Sequence, residues 1–539
     1  MQEQSPTLMA PSKNAFHLFL CLLLLCPLAA LSQGLSRPWL NHGGDLFNRR
    51  FASKERKISP ETVHKLSLKW KFYTGDDVSA TPAIFNGTLY FPSRNGNIYA
   101  VKEDDGSLVW QQNVGNLTGF NSTVTLPNIN WTLSRSTPTI ISDADLIIVG
   151  IYGPAVVMAL RRSTGQLVWW TRLDNHPVAF ITMSGTYYNG SFYVGVSSQE
   201  EALPFDECCV FRGSLAKLDA RSGRILWQTY MLPDNNKQRG GYAGAAIWGS
   251  SPSIDPIRKH VYIATGNLYS APDHIIQCQE SQLNQTGPVD PDACIEPENH
   301  SDSMLALDLD SGNITWYSQL GGYDVGIFAC AIPTAPPDCP PVGEDADFGE
   351  APMVLTAYHA NGTKQDIVVA VQKSGIAWAL DRNNGSLAWA TQAGPGGAIG
   401  GGVWGAATDG ARVYTNIVNS DGKNFSLVPS NTTTTGGGWV AMNASNGEIL
   451  WATGDPHRNF TNGPVTVANG VVFAGAANTD GPIYAMNAET GEILWSFRTN
   501  ATVYGGVSVN NGCVYVGHGY ILGLIPFFTQ GSHVFAFCL

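Results

Sequence analysis

Along much of this chain, apolar and polar positions alternate in a short run, break at a polar turn containing Gly, resume, and stop at a Trp. The pattern is cleanest at residues 481–495, GPIYAMNAETGEILW. The alternation predicts a strand with one face in a core. The Gly suits a turn position of positive φ, which other residues occupy at a cost. The Trp supplies a large apolar surface and one N–H donor, suited to bridging adjacent sheets. Copies recur at 96–110 (GNIYAVKEDDGSLVW), 155–169, 213–227, 302–316, 375–389 and 437–451. A lone hairpin cannot bury its own apolar face, so the copies must stack.

An eighth copy is divided between the two ends of the chain. Residues 532–539 (SHVFAFCL) match the first strand of the unit, and residues 66–75 (LSLKWKFYTG) match the second. Joining them closes a ring and hides both sheet edges. An open β-solenoid would leave the split copy unexplained. The expected fold is therefore all-β: an eight-bladed β-propeller at 64–539, after a secretory signal peptide at 1–32 and a lead-in segment at 33–63. A short helical turn is expected near 62–65. Four strands with their turns need roughly 40 residues, so wider spacings mark insertions, at 114–135, 269–302 and 323–350.

Composition agrees with a packed, β-rich globule, with 44% hydrophobic and 14% charged residues. The net charge of −12 and the lack of a basic run argue against a nucleic-acid partner. Lys13 precedes an apolar run at 16–31 that is short, and broken by Pro27, for a membrane span. Small residues at Ala30 and Ser32 predict cleavage after Ser32 and no stable span thereafter, an uncleaved anchor being the alternative. Fifteen Asn-x-Ser/Thr triplets, many at expected turns, fit a glycosylated extracellular surface. Once Cys21 and Cys26 leave with the signal, eight cysteines remain, an even number that suggests disulfides. Proximity pairs Cys278 with Cys294, Cys330 with Cys339, and Cys513 with Cys538. The adjacent Cys208 and Cys209 either bond to each other, as a rigid surface pressed against something, or take separate partners.

Four segments depart from plain repeat. Residues 194–201 end in Glu200 and Glu201 and lead to Cys208, Cys209 and Arg212. Residues 247–255 carry Trp248 and lead to Asn267. Residues 322–328 carry Asp324, and 371–375 carry Lys373. Together they offer oxygen ligands, a flat aromatic and a cation from successive blades. Carboxylates and an amide oxygen are hard donors, suited to Ca²⁺. Each also has an ordinary structural reading: a solvated strand end for the Glu pair, a turn cap for Asn267, a core aromatic for Trp248, a surface turn for Lys373. Their placement at corresponding blade edges favours the joint reading.

At these residues the chain resembles the pyrroloquinoline quinone (PQQ)-dependent alcohol dehydrogenases, in particular the polyvinyl-alcohol dehydrogenase-like branch. The resemblance covers nearly all of 37–539; the segments Ile247-Trp-Gly, Ala264-Thr-Gly-Asn267 and Gln372-Lys373-Ser-Gly, in that order, carry it most specifically. It implies PQQ at the centre of the ring with Ca²⁺ beside it. Trp248 would be the floor under the quinone and Lys373 the cation over its oxygens. Asn267 would be a Ca²⁺ ligand, as would Glu200 or Glu201, with Glu200 the preferred alignment. Asp324 would be the catalytic base, also at the metal, and Arg135 a carboxylate-binding cation. Cys208 and Cys209 would form a ceiling of bonded neighbours, although here they follow the Glu segment. Ala246 stands where the family has a Thr that bonds the cofactor.

The implied function is a secreted oxidoreductase acting on an alcohol or polymer hydroxyl by Ca-assisted hydride transfer to PQQ. No Cys-x-x-Cys-His haem attachment occurs in the sequence, so the electron acceptor would be external. The alternative is a non-catalytic secreted glycoprotein propeller serving as a binding scaffold.

Overall fold

Each copy of the repeat forms the outer half of one sheet. In 481–495, Pro482–Asn487 pairs antiparallel with Ile493–Arg498, and Val471–Gly475 and Thr466–Ala468 complete the sheet toward the centre. This is a computed structural model, and it describes Met1 and residues 38–121, 131–283, 294, 296–322, 324–327, 330, 345–521 and 528–539. Apart from Met1, the expected signal peptide lies outside the described residues, as do Cys339 and the glycan acceptors Asn130 and Asn284.

Blades 1 to 7 span residues 83–113, 139–172, 186–230, 253–319, 353–392, 407–454 and 466–498. Blade 8 takes Ser508–Asn510, Cys513–Gly517 and His533–Cys538 from one end of the chain and Ser67–Tyr73 from the other, with Trp70 opposite Ala536. The divided copy thus closes an eight-bladed propeller, and a Cys513–Cys538 disulfide ties two neighbouring strands of the closing blade.

The repeat's Trp residues join the blades. Trp110 Nε1 donates to Arg162 O (2.9 Å), Trp389 to Ala444 O (3.0 Å) and Trp451 to Ala488 O (3.0 Å). Trp495 donates to Leu66 O (3.1 Å), so the last repeat is locked to the first strand's approach. In all but the divided blade, the turn glycine of the next blade lies against the indole. Gly106 (φ 69°) and Gly165 (φ 72°) would each bring a Cβ to within 2.7 Å of the preceding blade's Trp ring. The glycine is therefore required twice, by its backbone angle and by the close approach.

The segment expected as a lead-in is part of the propeller unit, Pro38–Leu539. Residues 39–52 run around the axis and bond the inner strands of successive blades. Trp39 pairs with Ile84 in blade 1, Ile140 N donates to Leu40 O in blade 2, and Asn41 Nδ2 donates to Thr186 Oγ1 in blade 3. Backbone N–H groups of Ile254, Val354 and Thr408 then donate to Leu46, Phe47 and Arg49. Phe51 bridges to Val467, and the buried Arg50 reaches Val507 O of blade 8. These bonds satisfy inner-strand groups that would otherwise be orphaned at the axis, and they plug that end of the channel.

Two expectations need adjusting. The 269–302 insertion contains an α-helix, Asp273–Leu283, fastened by the expected Cys278–Cys294 disulfide. Asn299, one of the glycan triplets, is 2% exposed with its Oδ1 accepting from Ser301 N, so its side chain is unavailable to a glycan.

Candidate active site

The end of the axis opposite the plug opens into a cavity of about 1120 Å³. Arg135, Glu201, Trp248, Asn267, Asp324 and Lys373 all line it. Most of the residues picked out along the chain are therefore brought together, from blades 2 to 5 and their loops.

Trp248 is fixed from several sides. Its carbonyl accepts from Thr182 Oγ1 (2.7 Å), its Nε1 donates to Asp347 Oδ1 (3.3 Å), and its ring meets Trp404 edge-on at 4.9 Å. Lys373 Nζ stands 5.4 Å from the centre of the indole. Asn267 uses its amide nitrogen on Gly326 O (3.0 Å) and Leu268 O (3.2 Å). Its Oδ1 has no protein donor among the described residues. Gly266, just before it, admits no side chain, because a Cβ there would overlap the Asp347 carboxylate.

Two carboxylates lie beyond what the sequence reading expects. Asp345 and Asp347 sit at the end of the 323–350 insertion, a stretch with no repeat pattern. Asp347 touches three of the expected site residues: Oδ1 accepts from Trp248 Nε1 and from Asn267 N (3.1 Å), and Oδ2 pairs with Lys373 Nζ at 2.8 Å. Asp345 Oδ2 is 3.2 Å from the same Nζ. The available signal is Asp345-Ala-Asp347-Phe-Gly immediately ahead of the inner strand Met353–Tyr358. Trp404, Tyr504 and Tyr520 are likewise absent from the expected set. With Tyr152 they surround Arg135, whose guanidinium is 4.4 Å from the Trp404 ring and donates to Tyr520 Oη at 2.8 Å.

Negative charge outweighs positive around Lys373. Burial pushes the Glu201 carboxyl up to about 7 and Asp345 to about 6, with Asp347 adding repulsion to both and Lys373 opposing it. Burial, then Asp345, holds the Asp324 carboxyl well above its ordinary range, although Ala346 N donates to its Oδ2 (2.6 Å). Buried acids with raised pKa values and open oxygens, gathered in one cleft, are the electrostatic mark of a site built for a ligand.

Two expectations are corrected by the geometry. Glu200 turns away from the cavity: its oxygens accept from Val210 N (2.7 Å) and Phe211 N (2.8 Å), and His176 Nε2 lies 3.1 Å away. The strand Ser191–Ser198 ends just before it, and a 3-10 turn over Glu200–Ala202 gives the cavity to Glu201 instead. Cys208 and Cys209 do bond to each other. However, they pack beside Glu200 against the core between blades 2 and 3, and neither lines the cavity. The bonds from Val210 and Phe211 to Glu200 draw the pair toward that carboxylate.

Comparison with known proteins agrees with this picture. A profile described as glucose/ethanol/alcohol dehydrogenase, beta-propeller domain, of the PQQ type, matches residues 39–336. A second, described as outer membrane protein assembly factor BamB, matches 436–520. The polyvinylalcohol dehydrogenase of Pseudomonas sp is 30% identical over 529 residues, covering 90% of this chain and 74% of that protein. Quinohemoprotein alcohol dehydrogenase ADH IIB of Pseudomonas putida is 22% identical, covering 68% and 51%. Among solved structures, the quinohemoprotein alcohol dehydrogenase of Comamonas testosteroni superposes with a TM-score of 0.68 at 18% identity, covering 95% of this chain and 82% of that one. A europium-containing methanol dehydrogenase gives 0.66 at 16% identity, covering 95% and 100%.

Proposed function

This chain belongs to the PQQ-type alcohol dehydrogenase family, and from that premise we propose that it oxidises an alcohol or a polymer-borne hydroxyl, using PQQ with Ca²⁺ beside it. The observation that carries the reading is the gathering of a flat indole, one lysine and an excess of carboxylates at the open end of the axis. These residues fit the cofactor pair. Trp248 offers a planar face, Lys373 and Arg135 offer cations for an anionic guest, and the cavity has room for it. Glu201, the Asn267 Oδ1 and Asp324 are hard oxygen donors that would hold the Ca²⁺, which in turn would offset the repulsion that Asp345 and Asp347 exert on Glu201 and Asp324. Bound PQQ supplies the two-electron acceptor. The net change is a carbinol converted to a carbonyl, with two electrons and two protons leaving the substrate.

The protein's own part is to orient the hydroxyl and remove its proton. A general base must be ionised and within reach. Asp347 suits that role better than Asp324, the residue expected from sequence. Lys373 lies 2.8 Å from its Oδ2, whereas burial disfavours the charged form of Asp324. A carboxylate has about four acceptor positions; the three contacts to Asp347 leave one for a substrate hydroxyl. Asp324 then keeps its other expected role, at the metal. Lys373 also stabilises negative charge that develops beside it.

Extracellular residence is part of the proposal. It is supported by the leader pattern in the sequence at 1–32, by the disulfides, and by exposed triplet asparagines such as Asn86, Asn189 and Asn361. Among the described residues no helix is long and apolar enough to cross a membrane. The electron acceptor is taken to be an external molecule.

The test is reconstitution. Purified protein with PQQ and CaCl₂ is expected to develop a quinone absorption band and to reduce a dye when an alcohol is added. Trp248→Ala with Asn267→Ala is expected to abolish binding. PQQ binding without turnover would instead favour a scaffold role, and undiminished binding by the double variant would overturn this site.

A further inference from the structure

The cavity opens at the end of the propeller where the second strand of each blade stops. Glu201 follows Ser191–Ser198, Asn267 follows His260–Ala264, and Lys373 follows Lys364–Val371. The hairpin turns between first and second strands, and between third and fourth, lie at the opposite, sealed end. In blade 1 the two turns touch, Glu103 N donating to Gly87 O (2.8 Å). One stretch of chain is laid across this sealed face. Asn469 Nδ2, in the inner turn of blade 7, donates to Ile58 O (2.7 Å), and Gly512 N, in the same turn of blade 8, donates to Glu55 Oε2 (2.9 Å). Trp495 then holds Leu66, and the chain enters Ser67–Tyr73, the outermost strand of blade 8. Residues 53–69 are therefore a belt that runs outward over blades 7 and 8 to the rim.

The belt is basic on an acidic protein. Lys54, Arg56, Lys57, Lys65 and Lys69 are exposed along it. None forms an ion pair among the described residues, whereas Lys259 on the same face pairs with Asp310 (3.1 Å). Two acids share the stretch. Glu55 is buried, and its Oε1 accepts from Arg56 N (2.9 Å), Lys57 N (2.6 Å) and Ile58 N (3.1 Å), so its charge is turned inward. Only Glu61 is left to face the five cations, on a chain of net charge −12. The strip also has acidic edges: exposed Asp104 and Asp105 stand in the outer turn of blade 1, and exposed Glu489 and Glu492 in that of blade 7. Expected glycan acceptors avoid the same sector. On the sealed face, triplet asparagines occur at turns of blades 1, 3, 4, 5 and 6 (Asn86, Asn189, Asn313, Asn361, Asn384 and Asn443), and none at turns of blades 2, 7 and 8.

We propose that this belt binds a linear acidic polysaccharide, a chain of carboxylate-bearing sugars, and so tethers the protein with its cavity facing away. Unpaired cations gathered in one strip repel each other and contribute nothing to the fold; an anionic chain supplies the missing charge. Four of the five are lysines, compact charges that tolerate irregular carboxylate spacing, whereas bidentate phosphate recognition favours Arg. The strip is narrow. Its acidic edges, and glycans on the turns beyond, would hold a flat anionic bilayer away, but a single extended chain fits between them. The glycan argument rests on the extracellular residence proposed above; the charge and course of the belt do not.

The experiment uses the glycosylated protein without PQQ. Calorimetry measures binding of oligogalacturonate, of neutral dextran, and of equimolar phosphatidylcholine–phosphatidylserine vesicles. Oligogalacturonate is expected to bind, with affinity falling about tenfold or more between roughly 50 and 200 mM NaCl as counterions compete. Dextran is expected not to bind. Changing Lys54, Lys57, Lys65 and Lys69 together to Gln is expected to weaken binding about tenfold or more, with the thermal midpoint unchanged and dye reduction with PQQ, CaCl₂ and an alcohol unaffected. Lys237→Gln with Arg239→Gln, at exposed positions of the loop between blades 3 and 4 on the cavity side, is expected to leave binding intact. An equal loss in that control would overturn the belt, because binding would then follow total charge. Vesicle binding without oligogalacturonate binding would overturn the polysaccharide in favour of a membrane surface, and binding to neither would overturn the tether. Since binding is read without PQQ, each of these failures leaves the oxidoreductase reading standing, and salt-sensitive binding by a protein that does not turn over would still support the tether.

Discussion

Arg50 at the plugged end of the axis and Lys373 at the open end are both enclosed cations, yet their surroundings differ in kind. Arg50 donates to Val465 O (2.7 Å), Thr466 Oγ1 (2.9 Å) and Val507 O (3.3 Å), and also to His42 O. Neutral protein oxygens satisfy its donors, as a buried charge requires. Lys373 instead faces Asp345 and Asp347, with Glu201 and Asp324 lining the same space. There the charges do not balance and oxygens stay open. The inner strands of one propeller thus support a finished structural joint at one end and an unfinished electrostatic arrangement at the other. The second kind is the one that expects a ligand.

The contrast can be broken at either end. Asp347→Asn is expected to lower kcat by about 10²–10⁴-fold in stopped-flow dye reduction while the thermal unfolding midpoint stays near that of the unaltered protein. A midpoint that collapses would make Asp347 a structural residue. Arg50→Met is expected to cost about 1–3 kcal/mol of stability, read by denaturant unfolding, because it leaves several carbonyls at the axis without a donor. Little loss would mean the plug does not hold the ring.

The adjacent glutamates separate the two kinds of carboxylate on a finer scale. Glu201→Gln is expected to weaken Ca²⁺ binding by about tenfold or more, measured by calorimetry. Glu200→Gln should leave that binding alone and cost about 1–3 kcal/mol of stability, because two backbone donors and His176 depend on it. The reverse result would restore Glu200 as the ligand.

A smaller effect concerns pH. Burial raises the Glu201 carboxyl to about 7, above its unfolded value near 4.5. The folded state therefore holds the proton more tightly. Its contribution to stability is present below pH 4.5 and is lost as pH rises toward and past 7. Ca²⁺ needs the ionised form, so the rise in melting temperature on adding Ca²⁺ is expected to be greater at about pH 8 than at about pH 5.5. A rise independent of pH would remove Glu201 from the cation site.

The propeller was legible because the chain solves one burial problem eight times with the same residues. Each Trp must reach the next blade, and each turn Gly must lie on a Trp, so spacing alone exposed the unit. The plug was not legible. Residues 39–52 make their bonds to the inner strands of every blade, from the nearby Ile84 to the far Val507, and show no period of their own. Trp248, Asn267 and Lys373 were found through short motifs at blade edges. Asp345 and Asp347 were not, because they close a long insertion whose path to the axis has no local signature. Glu200 and Glu201 could not be told apart by counting along a strand, since the strand stops at Ser198 and the next turn resets which side chain faces the cavity.

Sequence alone determined the number of blades, the way the ring closes, and the residue types available for chemistry, because these depend on local alternation and on turn and Trp positions that repeat. Tertiary structure alone decided which carboxylates meet Lys373, which cysteines stay out of the cavity, and which end of the axis is sealed. Those outcomes depend on the direction a side chain takes after its strand has ended, and on partners that only ring closure brings within reach.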